Sequence, residues 1–147
     1  MSKKKISLQI LTPDKIKIDK KVDRVILRCV TGDMGILPGR EAVSAVLDDG
    51  ILRVLNDGGE QRIAVFGGLA EVQNDTITLL TDSAEWPEDI DRSRAEAERE
   101  EALWHLREMR DSLHRQNYRV LLRRALLRLE VSSSQNAGMP EEQGTPV

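Results

Sequence analysis

Residues 76–98 read TITLLTDSAEWPEDIDRSRAEAE, and the repeat period of the chain changes inside them. Up to Leu80 the apolar residues alternate with polar ones, as they do on a half-buried strand. From Ala95 onward they recur at steps of three, four and seven, as on one face of a helix. Trp86-Pro87 lies between the two patterns, and the residue before a proline is pushed out of helical geometry. The border predicts a sheet domain over 1–87 and a helical unit over 88–131.

Upstream of the border the period of two persists. ISLQIL, KIKI, VDRVILRCV, AVSAVL, ILRVL, RIAVF and LAEV all alternate or nearly alternate. Asp49-Gly50, Asn56-Asp57-Gly58-Gly59 and Gln73-Asn74-Asp75 separate successive runs. Gly, Asn and Asp tolerate the positive φ of tight turns, so each interval predicts a hairpin. Many short strands at regular spacing indicate an antiparallel sandwich or barrel. The lone Cys29 falls within such a strand and is expected to be a core thiol.

Downstream, Ala95, Ala102, Leu106, Met109 and Leu113 form one apolar stripe; Tyr118, Leu121, Leu122, Ala125 and Leu129 form a second. Asp111 to Asn117 is polar but holds neither Gly nor Pro, which leaves one rod or two helices open. An acidic start (Glu85 to Glu101) and a basic end (Arg107 to Arg128) suit an antiparallel hairpin that lays the two blocks side by side. Residues 132–147, SSSQNAGMPEEQGTPV from Ser132 onward, have the composition of a disordered tail. The expected class is therefore α+β, an N-terminal antiparallel β-sandwich followed by a two-helix hairpin and a tail.

Composition narrows the chemistry. The chain of 147 residues is 39% hydrophobic and 32% charged, with a net charge of −3. Aromatic residues are only 3%, and the isoelectric point is about 5.5, so a nucleic-acid surface is not expected. No apolar run reaches the roughly 20 residues of a spanning helix, and the N-terminus lacks the apolar block of a signal peptide. A cytoplasmic protein is expected, linked to a membrane only through a partner. His105 and His114 are nine apart, which does not match the i, i+4 zinc pair. Every lysine lies at or before Lys21, so none of the glycine pairs can be a P-loop. No catalytic or metal residues are assigned, and the chain is not expected to be an enzyme on its own.

Residues 32–85 carry a longer pattern. GDMGILPGREAVSAVLDDGILRV and FGGLAEVQNDTITLLTDSAE place Gly32, Gly35, Ile36, Pro38, Gly39, Gly50, Leu52, Arg53, Gly67, Gly68, Glu71, Val72, Thr78 and Leu80 in order. This series resembles the epsilon subunit of F-type ATP synthases, and the match runs over roughly residues 6–131. The resemblance implies a ten-stranded sandwich, two helices, and a place on the rotating central stalk, bound to the gamma subunit and resting on the ring of c subunits. That location is the cytoplasmic face of the plasma membrane, peripherally. Asp33 and Arg40 match the family's ring-facing positions, although histidine is usual where Arg40 stands. The bland alternative for Asp33 is an ordinary turn aspartate.

The resemblance also implies a regulatory ligand, while no cofactor is required. Ile90-Asp91-Arg92-Ser93-Arg94-Ala95 matches the family's Ile/Leu-Asp-x-x-Arg-Ala pattern, which accompanies ATP binding in several bacterial members. Glu85, Arg124 and Arg128 match further positions of that site, and the set becomes Glu85, Ile90, Asp91, Arg94, Ala95, Arg124 and Arg128. Glu101 stands where strong binders carry a cation. Arg92 and Arg94 sit at the positive end of a helix, where cations are disfavoured. A ligand phosphate would compensate Arg94; the alternative is pairing with Asp91 or Glu98, and Arg92 is expected to be solvated. Two functions stay open. In one, the helices rise along gamma towards the alpha and beta subunits, hinder ATP hydrolysis, and respond to ATP. In the other, the chain is a purely structural coupling subunit whose helices never switch.

Overall fold

The computed structural model describes residues 4–133. Eight strands come first: β1 (Ile6–Leu11), β2 (Ile16–Val22), β3 (Arg24–Cys29), β4 (Gly32–Ile36), β5 (Val43–Asn56), β6 (Gly59–Gln73), β7 (Thr76–Leu80) and β8 (Ala84–Glu85). A single 3₁₀ turn, Pro87–Asp89, leads into α1 (Arg92–Glu108) and α2 (Ser112–Ser133). The strands lie in the order β2-β1-β7-β6-β5-β3-β4, with β8 also paired to β6. One apolar cluster draws from all eight, including Ile6, Ile18, Val25, Ile36, Val54, Ile63, Ile77 and Ala84. The sheet is thus folded over a shared core as a sandwich.

Two details depart from the expected arrangement. The pairing is antiparallel except between β1 and β7, which run parallel. The strands number eight rather than ten because β5 and β6 are 14 and 15 residues long and uninterrupted. Asp49-Gly50, expected as a turn, lies inside β5, paired with Phe66 and Val65. The other two turns form as expected, with positive φ at Asp57 and Gly58 and at Asn74 and Asp75.

The long strands change face midway. In β6 the core positions are Gln61, Ile63 and Val65, then Ala70 and Val72, a shift from odd to even numbers. Gly67 and Gly68, at φ of 67° and 123°, stand at the shift. Just before it, Ala64 and Phe66 are also buried, but against the helices, in a second cluster with Leu127 and Val131. Strand β6 therefore serves two cores, one on each side.

The helices follow from the same balance of burial and capping. Asp91 is the N-cap of α1, its Oδ1 accepting from the Arg94 backbone N–H at 3.1 Å. The break falls at 109–111, just before most of the polar interval, with Met109 in an extended conformation. No glycine is needed, because Asp111 accepts from the Leu113 N–H at 3.0 Å and the Arg115 guanidinium donates to the Met109 and Leu106 carbonyls. These contacts satisfy some of the orphan groups at the two helix ends. Leu113 is exposed, while Ala125 and Leu129 of the second stripe are buried, joined by Leu127 and Val131. Ser132 and Ser133, read as tail, belong to α2; residues 134–147 lie outside the described residues.

One acid on the sheet reports on pH. Glu60 accepts from Arg53 at 2.8 and 3.0 Å and from Arg62 at 2.8 Å. Arg53 is the larger influence, and with Arg62 it holds the Glu60 carboxyl down from 4.5 to about 2. The folded state therefore binds fewer protons than the unfolded one between those values. The stabilisation is full above the unfolded pKa and is lost as pH falls through this window. Because the pair is open to water, about 1 kcal/mol is expected. Glu60→Gln should lower stability by about that much near neutral pH and by nothing near pH ~2, measured by urea denaturation at each pH.

Candidate functional site

A pocket of about 490 Å³ opens where the start of β2, the end of the sheet and the two helices meet. Glu85, Asp91, Arg94, Ala95 and Arg128, five of the seven residues expected of a nucleotide site, line it together. Lys15, Lys17, Asp89 and Glu98 complete the wall. Three of the lining residues have a clear local reason for their place. Glu85 is fixed by the pairing of β8 with Ala64 on β6. Asp91 is held as the helix cap, and Ala95, only 1% exposed, lets the chain pack closely at the first turn.

Arg128 is the centre of the charge arrangement. Its Nε and NH2 donate to the two Glu85 oxygens at 2.8 and 3.1 Å, a forked pair. Its NH1 lies 3.9 Å from Glu98, and its guanidinium sits 4.5 Å from the centre of the Phe66 ring. Hydrogen bonding to Glu85 raises the Arg128 pKa further above its ordinary value. Arg94 pairs with the other Glu98 oxygen at 3.4 Å, the pairing alternative for this cation. An entering polyphosphate would compete with Glu85 and Glu98 for these two arginines.

The remaining expected residues lie elsewhere. Ile90 packs against the second apolar cluster. Arg124 turns away to Asp49, its Nε 3.0 Å from Oδ2. Arg123 reaches the same oxygen at 3.1 Å, and the Asp49 side chain is only 5% exposed. A carboxylate read from sequence as a turn residue is therefore a sheet-borne latch for α2. Arg92 is exposed, as expected, and also bridges the helices by donating to Ser132 Oγ at 2.9 Å and to the Leu129 carbonyl at 3.4 Å. Asp33 is a strand residue, not a turn aspartate: it faces Arg28 across β3 and β4 at 3.2 Å. Arg40 is exposed in the following loop, 3.4 Å from the Gly35 carbonyl. The sheet partners Asp49 and Phe66, and the pocket's Lys15 and Lys17, were not singled out by sequence reasoning. The partners of Asp49 and Phe66 are distant in the chain, and no local pattern marks any of the four.

Residues 5–87 match the family model for the β-sandwich domain of the ATP synthase delta/epsilon chain, more than half of the molecule. The chain belongs to the ATP synthase epsilon family. Among its relatives, the ATP synthase epsilon chain of Caldicellulosiruptor bescii is 35% identical over 125 residues, 85% of this chain and 91% of that one. The epsilon chain of a Synechococcus strain is 47% identical over 93 residues, 63% and 68% of the two chains. Among solved structures, a chain of the Euglena gracilis mitochondrial ATP synthase, OSCP/F1/c-ring assembly, superposes with a TM-score of 0.76 at 26% identity, covering 88% of this chain and 82% of that one. As an epsilon chain the protein is a non-catalytic subunit. No helix among the described residues is long and apolar enough to cross a membrane.

Proposed function

We propose that this chain is a rotor subunit of the synthase's central stalk. Its sandwich joins the gamma subunit to the c ring, and its helices restrain ATP hydrolysis by the alpha and beta subunits. The complex holds it at the cytoplasmic face of the plasma membrane. The observation that carries the regulatory part is the way the hairpin is held. Its polar contacts to the sheet include those of Arg123 and Arg124 with Asp49 and of Arg128 with Glu85, around the small apolar cluster at Phe66. Such a mixed interface resembles one between separate partners more than a domain core, and it can open without exposing the sandwich core. In the open state the basic face of α2 is free to meet acidic surface on the catalytic subunits.

Two surface features support the assembly role. Val46, Leu69 and Leu80 lie side by side across β5, β6 and β7, each about half exposed, at 51%, 54% and 50%. This apolar row on the sheet's outer face suits the gamma subunit. Asp33 and Arg40, both exposed, are the proposed ring-facing residues.

ATP is the proposed effector, entering the pocket of Glu85, Asp91, Arg94, Ala95 and Arg128 and favouring the docked hairpin. A ligand shifts such a balance only by its difference in affinity for the two states. The direct test removes residues from 88 onward and measures ATP hydrolysis by the assembled enzyme. Hydrolysis should rise, with assembly intact. Unchanged hydrolysis would leave the subunit a structural coupler whose helices do not switch.

A further inference from the structure

The pocket's cations are not equivalent. Arg94 and Arg128 are committed to Glu98 and Glu85, whereas Lys15 and Lys17 have no carboxylate partner among the described residues. Both lysines come from the sandwich: Lys15 just precedes β2, and Lys17 is its second residue. Lys17 is half-buried, so its charge is held near the pocket instead of being fully solvated. Lysines on an edge strand also discourage edge-to-edge pairing, and β2 is an edge strand. That role would explain lysines anywhere along β2. It does not explain two of them beside a pocket of about 490 Å³, a size suited to a small ligand.

We propose that Lys15 and Lys17 receive the outer phosphates of a nucleoside polyphosphate, making the site a bridge between sandwich and hairpin. This rests on reading the pocket as a nucleotide site. The two free lysines supply charge that the arginines can offer only by leaving their carboxylates. Ligand affinity then rises with the number of phosphates. A polyphosphate touching Lys15 and Lys17 on one side and Arg94 and Arg128 on the other loses half its contacts when the helices leave. That difference in affinity is what gives a ligand leverage over the docked state.

The test is calorimetric titration of the full chain and of K15Q/K17Q with ATP, ADP, AMP and inorganic tripolyphosphate, with Arg94→Ala alongside. For K15Q/K17Q, ATP affinity is expected to fall about 10- to 100-fold, on the order of a factor of ten per lost charge-assisted contact. AMP affinity should not change, and tripolyphosphate should lose as much as ATP. Equal thermal unfolding midpoints for the double variant and the parent would show that the loss is not one of folding. If the double variant binds ATP as the parent does while Arg94→Ala does not, the lysines have no part and the nucleotide site stands. If the parent chain itself takes up no ATP at millimolar concentration, the nucleotide site and the bridge both fall. Binding of AMP as tight as that of ATP would also overturn the bridge.

Discussion

Replacing Phe66 with alanine should release the helical hairpin and leave the sandwich folded. Phe66 is 2% exposed, and its ring packs with Ala64, Leu127 and Val131, on the opposite face of β6 from the main core. Arg128 and Arg124 lie over the same ring at 4.5 and 5.5 Å. Truncating a buried phenylalanine costs about 3–5 kcal/mol, and losing a cation–π contact adds about 0.5–1 kcal/mol. The cost falls on the interface, because Phe66 belongs to the small cluster and not to the core shared by the eight strands. Amide hydrogen exchange should show α2 losing protection a hundredfold or more, roughly a factor of ten per 1.4 kcal/mol, while β1, β6 and β7 keep theirs. Parallel loss in strands and helices would mean that the two cores unfold as one unit and would sink the idea of a separable hairpin.

The second large effect is expected at Gly68, where alanine should cripple the sandwich itself. Its φ of 123° is one that a side-chain-bearing residue rarely adopts. A Cβ built there would lie 2.0 Å from the Leu80 carbonyl oxygen and 2.9 Å from the Thr81 Cα. Both are backbone atoms of the neighbouring chain segment, so relief requires pulling β7 away from β6. Strain and a broken ladder together should cost about 3–5 kcal/mol, within the range of severe single substitutions. For a domain this size each kcal/mol lowers the melting temperature by about 4–8 °C. A drop of roughly 15–30 °C is expected by circular dichroism. Gly39→Ala is the control: its φ of 88° is also positive, but a Cβ there meets nothing within 4 Å. A Gly68→Ala protein that melts no lower than Gly39→Ala would show that the strand pair tolerates the displacement.

These two positions also show where the sequence was readable. The alternation of the strands and the Asp57-Gly58 and Asn74-Asp75 turns were legible because each follows from a local preference for face or φ. Asp49-Gly50 carries the same local chemistry, yet it is held extended by pairing with Phe66 and Val65 on β6. Gly67-Gly68 was legible as part of a family pattern, but its job of switching the core face of β6 appears only when both long strands are seen together. Glu85, Asp91, Arg94, Ala95 and Arg128 of the nucleotide pattern line one pocket. The pattern could not place Arg124, whose partner Asp49 is 75 residues away in the chain. Arg92 is exposed as expected, but its contacts to α2 were hidden for the same reason, since those partners are 37 and 40 residues away. The helix break was hidden because polar caps, not Gly or Pro, make it.

That break has a mechanical meaning. Three residues, Met109, Arg110 and Asp111, are all that separate two runs already fully helical. Rotating only their backbone dihedrals into the helical well would turn a folded pair into one rod from Arg92 to Ser133. At 1.5 Å per residue such a rod is about 63 Å long, twice the diameter of a small domain. Such a hairpin, folded near its midpoint, would convert a change spanning one helical turn into a reach of tens of ångströms.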